Sequence, residues 1–195
     1  QVLTGCAIAI CEMPAGAARP GTLACPPPMN AGSWQGAGTV TVKESGESWE
    51  ALPFHALGVH RLYDIMALRQ AVFVVEQDCP YLDCDGLDAA AWHLFCRRGD
   101  TLLAYQRCLP PGTPYRESSI GRIIVPEAGR GRGLGRELVR RGIAFNREQW
   151  PDHAIRIGAQ ARLTAFYESL GFVVDGDLYD EDGIDHIHMV LESAG

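Results

Sequence analysis

Apolar residues recur at the spacing of one helical face in three parts of the chain. The first stripe runs through Leu62 and Val72 into the stretch AVFVVEQ, and the second begins at Leu134. A third, short stripe ends at Gly171, which is placed to act as a helix C-cap. Each stripe predicts an amphipathic helix with its apolar face against a core.

Runs of apolar and β-branched residues predict strands between these helices. A first strand near Trp49 is interrupted at Pro53, and AWHLFCRRGDTLLAYQRCL predicts a hairpin with its turn at Gly99-Asp100. Further strands are predicted in SSIGRIIV, HAIRIGA, FVVDGDLY and IDHIHMVL, the last two joined at Asp182-Gly183. Strands and helices are mixed, with at least one crossover, so the expected fold class is α/β or α+β, with helices on the sheet's faces.

The N-terminal part of the chain differs in composition from the rest. Three consecutive prolines from Pro26 follow a stretch rich in Ala, Gly and Cys, and Arg19 is the only basic residue before Lys43. We therefore expect residues 1–45 to be an appendage and residues 46–195 to form one domain.

Charge and cysteine usage exclude several classes of function. The net charge of −7 over 195 residues argues against non-specific nucleic-acid binding, and no apolar run has the length of a membrane span. The seven cysteines form no C-x-x-C pair, and the spacing of Cys79 and Cys84 is not typical of zinc sites. We expect no metal and reduced, mostly structural thiols in a cytoplasmic protein, with disulfides in an exported protein as the alternative.

A glycine-rich segment, VPEAGRGRGLGREL, joins a predicted strand to a predicted helix. The first N–H groups of a helix lack intrahelical partners, and glycines let an anion approach them, so phosphate is the natural ligand. Neither a Walker loop nor a dinucleotide fingerprint fits; the pattern that remains is R-x-x-G-x-G, made by Arg130, Gly133 and Gly135. The alternative is a glycine-rich turn with a basic, solvated edge.

This loop resembles the acyl-CoA pyrophosphate loop of the GNAT superfamily of N-acetyltransferases. QARLTAFYESLGF is similar to the superfamily's N-x-x-A-x-x-x-Y-x-x-x-G-F segment: Tyr167, Gly171 and Phe172 match, and Gln160 stands at the Asn position. LRQAVFVVEQDCPYLDCDGLD, GAQA and YDEDGIDHIHM resemble the ElaA family within it.

The resemblance implies the GNAT fold, a mixed twisted sheet of about seven strands with helices on both faces. Its central parallel strands, here Ser119 to Val125 and Ala154 to Gly158, would splay apart to admit the pantetheine arm of acetyl-CoA. Contacts with this cosubstrate are implied at Ile123, Ile124, Val125, Arg130, Gly131, Arg132, Gly133, Leu134, Gly135, Arg136, Gln160 and Phe166.

The implied activity is transfer of an acetyl group from acetyl-CoA to a small-molecule or peptidyl amine by direct attack, in a monomer or homodimer. Tyr167 matches the usual general acid, although its periodicity alone predicts a core aromatic. Two candidate bases stand out. Glu76 lies two helical turns from Arg69 on the predicted face, and His186 matches the His of the family's DGI-x-H segment. The alternative for Glu76 is a paired or solvated carboxylate, and the alternative for His186 is a structural histidine.

Two further features leave alternatives open. Asp83 and Asp85 would either line a loop over the acceptor site or simply form turns. Cys79 is expected to be a buried thiol, because direct transfer needs no covalent nucleophile.

The competing function from another class is a non-catalytic acyl-CoA-binding regulator. Binding of nucleic acid through the arginine-glycine stretch is a third hypothesis, which the acidic balance disfavours.

Overall fold

An open, mixed sheet is the centre of the computed structural model, which describes residues 46–193; the predicted appendage, residues 1–45, lies outside them. The strands are β1 Ser48–Pro53, β2 Trp92–Arg98, β3 Thr101–Leu109, β4 Ser118–Ile124, β5 Ile155–Gln160, β6 Val173–Val174, β7 Tyr179–Glu181 and β8 Ile184–Leu191. They lie in the order β1-β2-β3-β4-β5-β8-β6, and β7 pairs with β8. The α/β class and the predicted hairpin, β2–β3, are confirmed.

Within residues 46–193, three α-helices accompany the sheet: α1 Gly58–Arg69, α2 Leu134–Gln149 and α3 Thr164–Glu168. The predicted first helix does reach Glu76, but Gln70–Glu76 is a π-helix. Its wider i→i+5 turns change the rotation per residue, so the prediction that Arg69 and Glu76 share a face is wrong. Arg69 is fully buried, whereas Glu76 is exposed. No helix within residues 46–193 is long and apolar enough to cross a membrane.

Apolar clusters lie on the two faces of the sheet, as the stripes predict. On one face Ile65, Val72 and Phe73 of α1 and the π-helix pack with Phe95 and Tyr105 of the sheet. On the other face, α2 and α3 pack against alternating strand positions, through a cluster that includes Leu134, Leu138, Val139, Ile143, Tyr167, Ile120, Ile123, Ile157 and Met189. Helices on both faces are therefore confirmed.

The two central parallel strands separate soon after they begin. The β4–β5 ladder consists of Ser118 opposite Ile155 and Ser119 opposite Arg156. Beyond these positions β4 stays paired to β3, and β5 stays paired to β8 up to Gln160 opposite His186. A gap therefore opens in the middle of the sheet, where the resemblance predicts a splay.

The stretch FVVDGDLY, predicted as one strand, is two. Gly176 has a φ of +120°, which L side chains rarely adopt, and it breaks the run between β6 and β7. Both short strands pair with β8, at its opposite ends, so the described part of the chain forms a sheet of eight strands where about seven were expected. The predicted Asp182-Gly183 turn between β7 and β8 is confirmed.

Six buried charged side chains form a cluster between α1 and the sheet. We call it the arginine–aspartate cluster; its members are Arg69, Arg107, Arg122, Asp83, Asp85 and Asp88. Asp83 accepts from Arg69 Nε at 2.7 Å with one carboxylate oxygen and from Arg122 Nε at 2.7 Å with the other. Arg107 binds Asp85 through both terminal nitrogens, at 2.8 and 2.6 Å. Asp83 and Asp85 are therefore internal ion-pair partners, and Asp85 also serves the predicted turn, because its Oδ1 accepts from the Leu87 N–H at 3.0 Å.

The cluster also holds an irregular position of β4. Arg122 has a φ of +50°, and the β3–β4 register shifts beside it, which marks a β-bulge. Its guanidinium contacts Asp83 and lies 5.7 Å from the centre of the Phe73 ring. Because a non-glycine residue in the left-handed region is strained, these contacts are what keep the bulge in place.

We expect Asp83→Asn to lower the free energy of unfolding by about 3–5 kcal/mol, because it leaves two buried guanidinium groups without their shared carboxylate. Urea denaturation measures the loss. The matched control, Asp177→Asn, changes an exposed aspartate and should stay within about 0.5 kcal/mol of the wild type. Equal stabilities of the two variants would contradict the assigned role of Asp83.

The cluster also predicts acid sensitivity. Burial opposes ionisation of Asp85, but the hydrogen bond and charge of Arg107 and the charge of Arg122 outweigh it and lower its pKa to about 2. Because the pKa of Asp85 is lower in the folded chain than in the unfolded chain, where it is about 3.9, its ionised carboxylate stabilises the fold above that pH. This stabilisation is lost as the pH falls toward 2. Between pH 5 and 2, the unfolding free energy should fall more steeply in the wild type than in Asp85→Asn.

Candidate active site

The glycine-rich loop between β4 and α2 has the open backbone that its sequence predicts. Glu127–Gly129 form a 3-10 turn, and Gly131 and Gly133 have φ values of +74° and +73°. A Cβ atom on either glycine would meet nothing within 4 Å, so this side of the loop is bare. At Gly129 the reason for glycine differs: a Cβ there would overlap the carbonyl oxygen of Leu103 in β3.

The loop ends at the N-terminus of a long helix. α2 has 16 residues, and its N-cap, Gly133, supplies no side-chain hydrogen bond. The N–H groups of its first turn have no intrahelical partners, and the helix dipole adds partial positive charge there. Backbone donors, positive potential and bare glycines together make this junction suitable for a phosphate or pyrophosphate group.

The three arginines of the loop all contact neighbouring groups. Arg130 donates to the Val125 carbonyl at 3.1 Å through Nε and to a Glu76 carboxylate oxygen at 2.6 Å through Nη2. Arg132 is paired with Glu47, and the Arg136 guanidinium lies 5.4 Å from the Phe166 ring centre. The Glu76 pair thus links the end of the π-helix to the glycine loop.

The gap between β4 and β5 leads directly to this loop. Ile123 and Val125 pack in the core beneath α2, Ile124 packs on the α1 face, and the loop follows without a break. On the other side of the gap, the Gln160 amide oxygen accepts from Arg162 at 3.0 and 2.6 Å.

Tyr167 combines a packed ring with a hydroxyl that has no partner. The side chain is fully buried, with edge-to-face contacts to Phe166 and Phe172 at centroid distances of 4.9 and 6.0 Å. Its hydroxyl makes no hydrogen bond to any residue of the described part of the chain. Burial raises the pKa of Tyr167, so the group is protonated. A buried, protonated and unpartnered hydroxyl can donate to a ligand that enters the gap.

His186 is also buried, on the opposite face of the sheet from Tyr167. Its Nδ1 lies 2.8 Å from the Ile184 carbonyl oxygen and 3.9 Å from a Glu181 carboxylate oxygen. Burial lowers the pKa of His186, and weaker contributions from nearby acidic groups and the Ile184 carbonyl oppose this change. Cys79, as expected, is a buried free thiol, with its sulfur 3.5 Å from the Asp182 carbonyl oxygen.

Neither the arginine–aspartate cluster nor the position of Glu181 is predicted from the sequence. The signal for the cluster is visible in retrospect: Arg107 and Arg122 each stand inside an apolar strand, where an unpaired charge would be costly. LDCDGLD supplies three carboxylates within six residues. The sequence carries no such signal for the position of Glu181, because the stretch DEDGID indicates only an acidic turn.

The residues present fit an acyl-CoA cosubstrate. The bare loop suits its pyrophosphate, the gap in the sheet suits an extended arm with amide groups, and the orphaned Tyr167 hydroxyl suits a group that needs a proton. Within residues 46–193, no group of three His, Cys, Asp or Glu side chains has an arrangement that could hold a metal ion.

Comparisons with known proteins agree with this geometry. A family model described as an acetyltransferase (GNAT) domain matches residues 101–193. The protein ElaA of Escherichia coli is 42% identical over 146 residues, which cover 74% of this chain and 95% of ElaA. A UPF0039 protein of Synechocystis is 45% identical over 145 residues, 74% of this chain and 94% of that protein.

Solved structures give the same result. The crystal structure of an acyl-CoA N-acyltransferase from Pseudomonas aeruginosa is 39% identical, with a TM-score of 0.72 over 75% of this chain and 99% of that one. The crystal structure of Escherichia coli ElaA is 41% identical, with a TM-score of 0.71 over 75% of this chain and all of that one. The predicted fold and family are confirmed.

We expect Gly129→Ala to destabilise the protein by about 1–3 kcal/mol, because its methyl group would press on the Leu103 carbonyl and displace the loop. Any binding of coenzyme A by this loop should weaken in parallel. Thermal denaturation and calorimetry measure the two effects. Gly46→Ala is the control, since a Cβ at Gly46 meets nothing within 4 Å. Equal melting temperatures of the two variants would contradict this prediction.

Proposed function

Because the chain belongs to the GNAT acetyltransferase family, as a relative of ElaA, we propose that it is an acetyl-CoA-dependent N-acetyltransferase acting on an amine. The observation that carries this proposal is the gap between β4 and β5, which ends at the bare glycine loop. The proposed acceptor is a small-molecule or peptidyl amine. The proposed active form is a monomer or homodimer, and it does not bind nucleic acid. Free thiols at Cys79, Cys84, Cys96 and Cys108 support a reducing, cytoplasmic setting.

In this proposal the chain's backbone does most of the cofactor binding. The N–H groups from Arg130 to Gly135 hold the pyrophosphate, and the Arg136 guanidinium adds charge beside it. Backbone groups of Ile123, Ile124 and Val125 pair with the pantetheine amides in the manner of an added strand. Gln160 and Phe166 line the other side of the gap. Bound acetyl-CoA supplies the activated acetyl thioester.

Three groups then serve the chemistry. Tyr167 donates its proton to the leaving sulfur, because its hydroxyl is buried, protonated and without another partner. A backbone N–H near Val125 stabilises the developing oxyanion. A base removes a proton from the acceptor ammonium, and Glu76 and His186 are the candidates.

The first test separates the enzyme from an acyl-CoA-binding regulator. Acetyl-CoA at about 100 times its Kd should stabilise either protein by about 2.7 kcal/mol, since it binds only the folded chain. Only an enzyme should release free thiol when a panel of amines is added. Thermal stabilisation without thiol release would favour the regulator, and no stabilisation would refute both functions.

The second test concerns the proposed acid. We expect Tyr167→Phe to lower kcat for thiol release by about 10²–10⁴-fold, because the phenol is the proton donor, while the Kd of coenzyme A stays nearly constant. Folding stability should change little, since the hydroxyl removed has no protein partner. Tyr63→Phe, at a position with 74% exposure, is the control. An unchanged kcat in Tyr167→Phe would refute the acid assignment.

A further inference from the structure

His186 lies beside the end of β5, the strand that borders one side of the gap in the sheet. On β8 it stands opposite Gln160, the last residue of β5, on one side and opposite Tyr179 of β7 on the other. Its neighbours along β8, Ile187 and Met189, pack on the α2 face. Because side chains alternate along a strand, His186 points to the other face, on which the arginine–aspartate cluster lies.

The hydrogen bond of His186 assigns its tautomer. A carbonyl oxygen only accepts, so Nδ1, 2.8 Å from the Ile184 oxygen, carries the proton and donates it. The lone pair of the neutral ring is therefore on Nε2. This atom is buried and has no hydrogen-bond partner within residues 46–193. A buried acceptor without a protein partner is what a site for a proton-bearing ligand presents before the ligand binds.

Acidic groups near the ring partly offset the effect of burial on its protonation. A Glu181 carboxylate oxygen lies 3.9 Å from Nδ1, and the other facing groups are Tyr179, whose ring centre is 5.8 Å away, and three hairpin aspartates. Burial is the largest effect and lowers the pKa of His186, while the charges of Asp180, Asp182 and Asp185 act in the opposite direction and stabilise an imidazolium. The same negative charge attracts an ammonium group to this end of the sheet.

Glu76 is placed for a different task. Its carboxylate is bound to Arg130 at 2.6 Å, and Arg130 in turn holds the Val125 carbonyl. A carboxylate oxygen engaged in this way holds Arg130 in place and so stabilises the glycine-rich loop. Glu76 is therefore a positioning residue for Arg130, and the proton acceptor must be sought elsewhere.

From this geometry, and resting on the proposed acetyltransferase function, we infer that His186 is the catalytic base and that the acceptor is an aliphatic ammonium compound. His186 Nε2 takes one proton from the ammonium group. The amine nitrogen bonds to the acetyl carbon as the carbon–sulfur bond breaks, and Tyr167 protonates the sulfur. Tyr167 recovers a proton from the nitrogen of the new amide, and His186 returns its proton to solvent, so one proton is released per turnover.

The decisive variant is His186→Asn. Its side-chain amide can still donate to the Ile184 oxygen, but it lacks a basic atom in place of Nε2. We expect kcat/KM for an alkylamine at neutral pH to fall by about 10²–10⁴-fold, with the Kd of coenzyme A unchanged by calorimetry. Because burial lowers the pKa of His186, the wild-type profile should decline only at a pH below the ordinary range of a histidine side chain, and this limb should be absent in the variant. His188→Asn, two positions along the same face, should retain both the rate and the limb.

An independent measurement addresses the tautomer without turnover. Nitrogen NMR of the imidazole in the wild-type protein should show Nδ1 protonated and Nε2 unprotonated at neutral pH. The reverse tautomer would overturn the inference. So would an active wild type whose His186→Asn variant keeps kcat/KM within threefold and the acid limb intact; the acetyltransferase proposal would survive both results. A wild type that binds coenzyme A but acetylates no amine would overturn the proposed function, and the base assignment with it.

Discussion

The arginine–aspartate cluster is the constraint on which the arrangement of the site depends. Burying six ionised groups carries a large desolvation cost, which is offset only when every group has good partners. Here three positive and three negative charges balance, and Asp83 binds arginines from both α1 and β4. The cluster therefore fixes the 83–88 loop, the end of α1 and the bulge at Arg122 relative to one another. A uniformly apolar contact would not define these relative positions as sharply, because hydrophobic packing is non-directional.

The bulge at Arg122 in turn sets the course of β4 beside the gap in the sheet. Immediately after it, Ile123 to Val125 run beside a gap where β5 no longer supplies hydrogen bonds. Backbone donors and acceptors that face a gap inside a sheet need partners just as those of an edge strand do. An extended ligand with amide groups would satisfy them, and its far end would reach the bare glycines where the strand ends. The cluster on one face of the sheet thus affects the shape of the gap in its middle.

Local features of this architecture could be predicted from the sequence, and long-range features could not. The glycine loop, the hairpin and the three amphipathic helices each depend on residues close in the chain, so their patterns are visible. The π-helix is not, because its change of period extends over only seven residues. The pairs Asp83–Arg122 and Glu76–Arg130 join residues 39 and 54 positions apart, and no spacing rule connects them. The tautomer of His186 likewise depends on the path of the backbone at Ile184.

The charges around the loop limit what its arginines can offer to an anionic ligand. Glu76 and Glu47 compensate Arg130 and Arg132, so much of the loop's positive charge is already neutralised by the protein. What remains for a ligand is the Arg136 guanidinium and a set of backbone N–H groups at a helix N-terminus. Such groups act over a short range and require an anion that fits against the bare glycines. A small diphosphate meets this requirement, whereas a long nucleic-acid backbone would meet the repulsion of a net charge of −7.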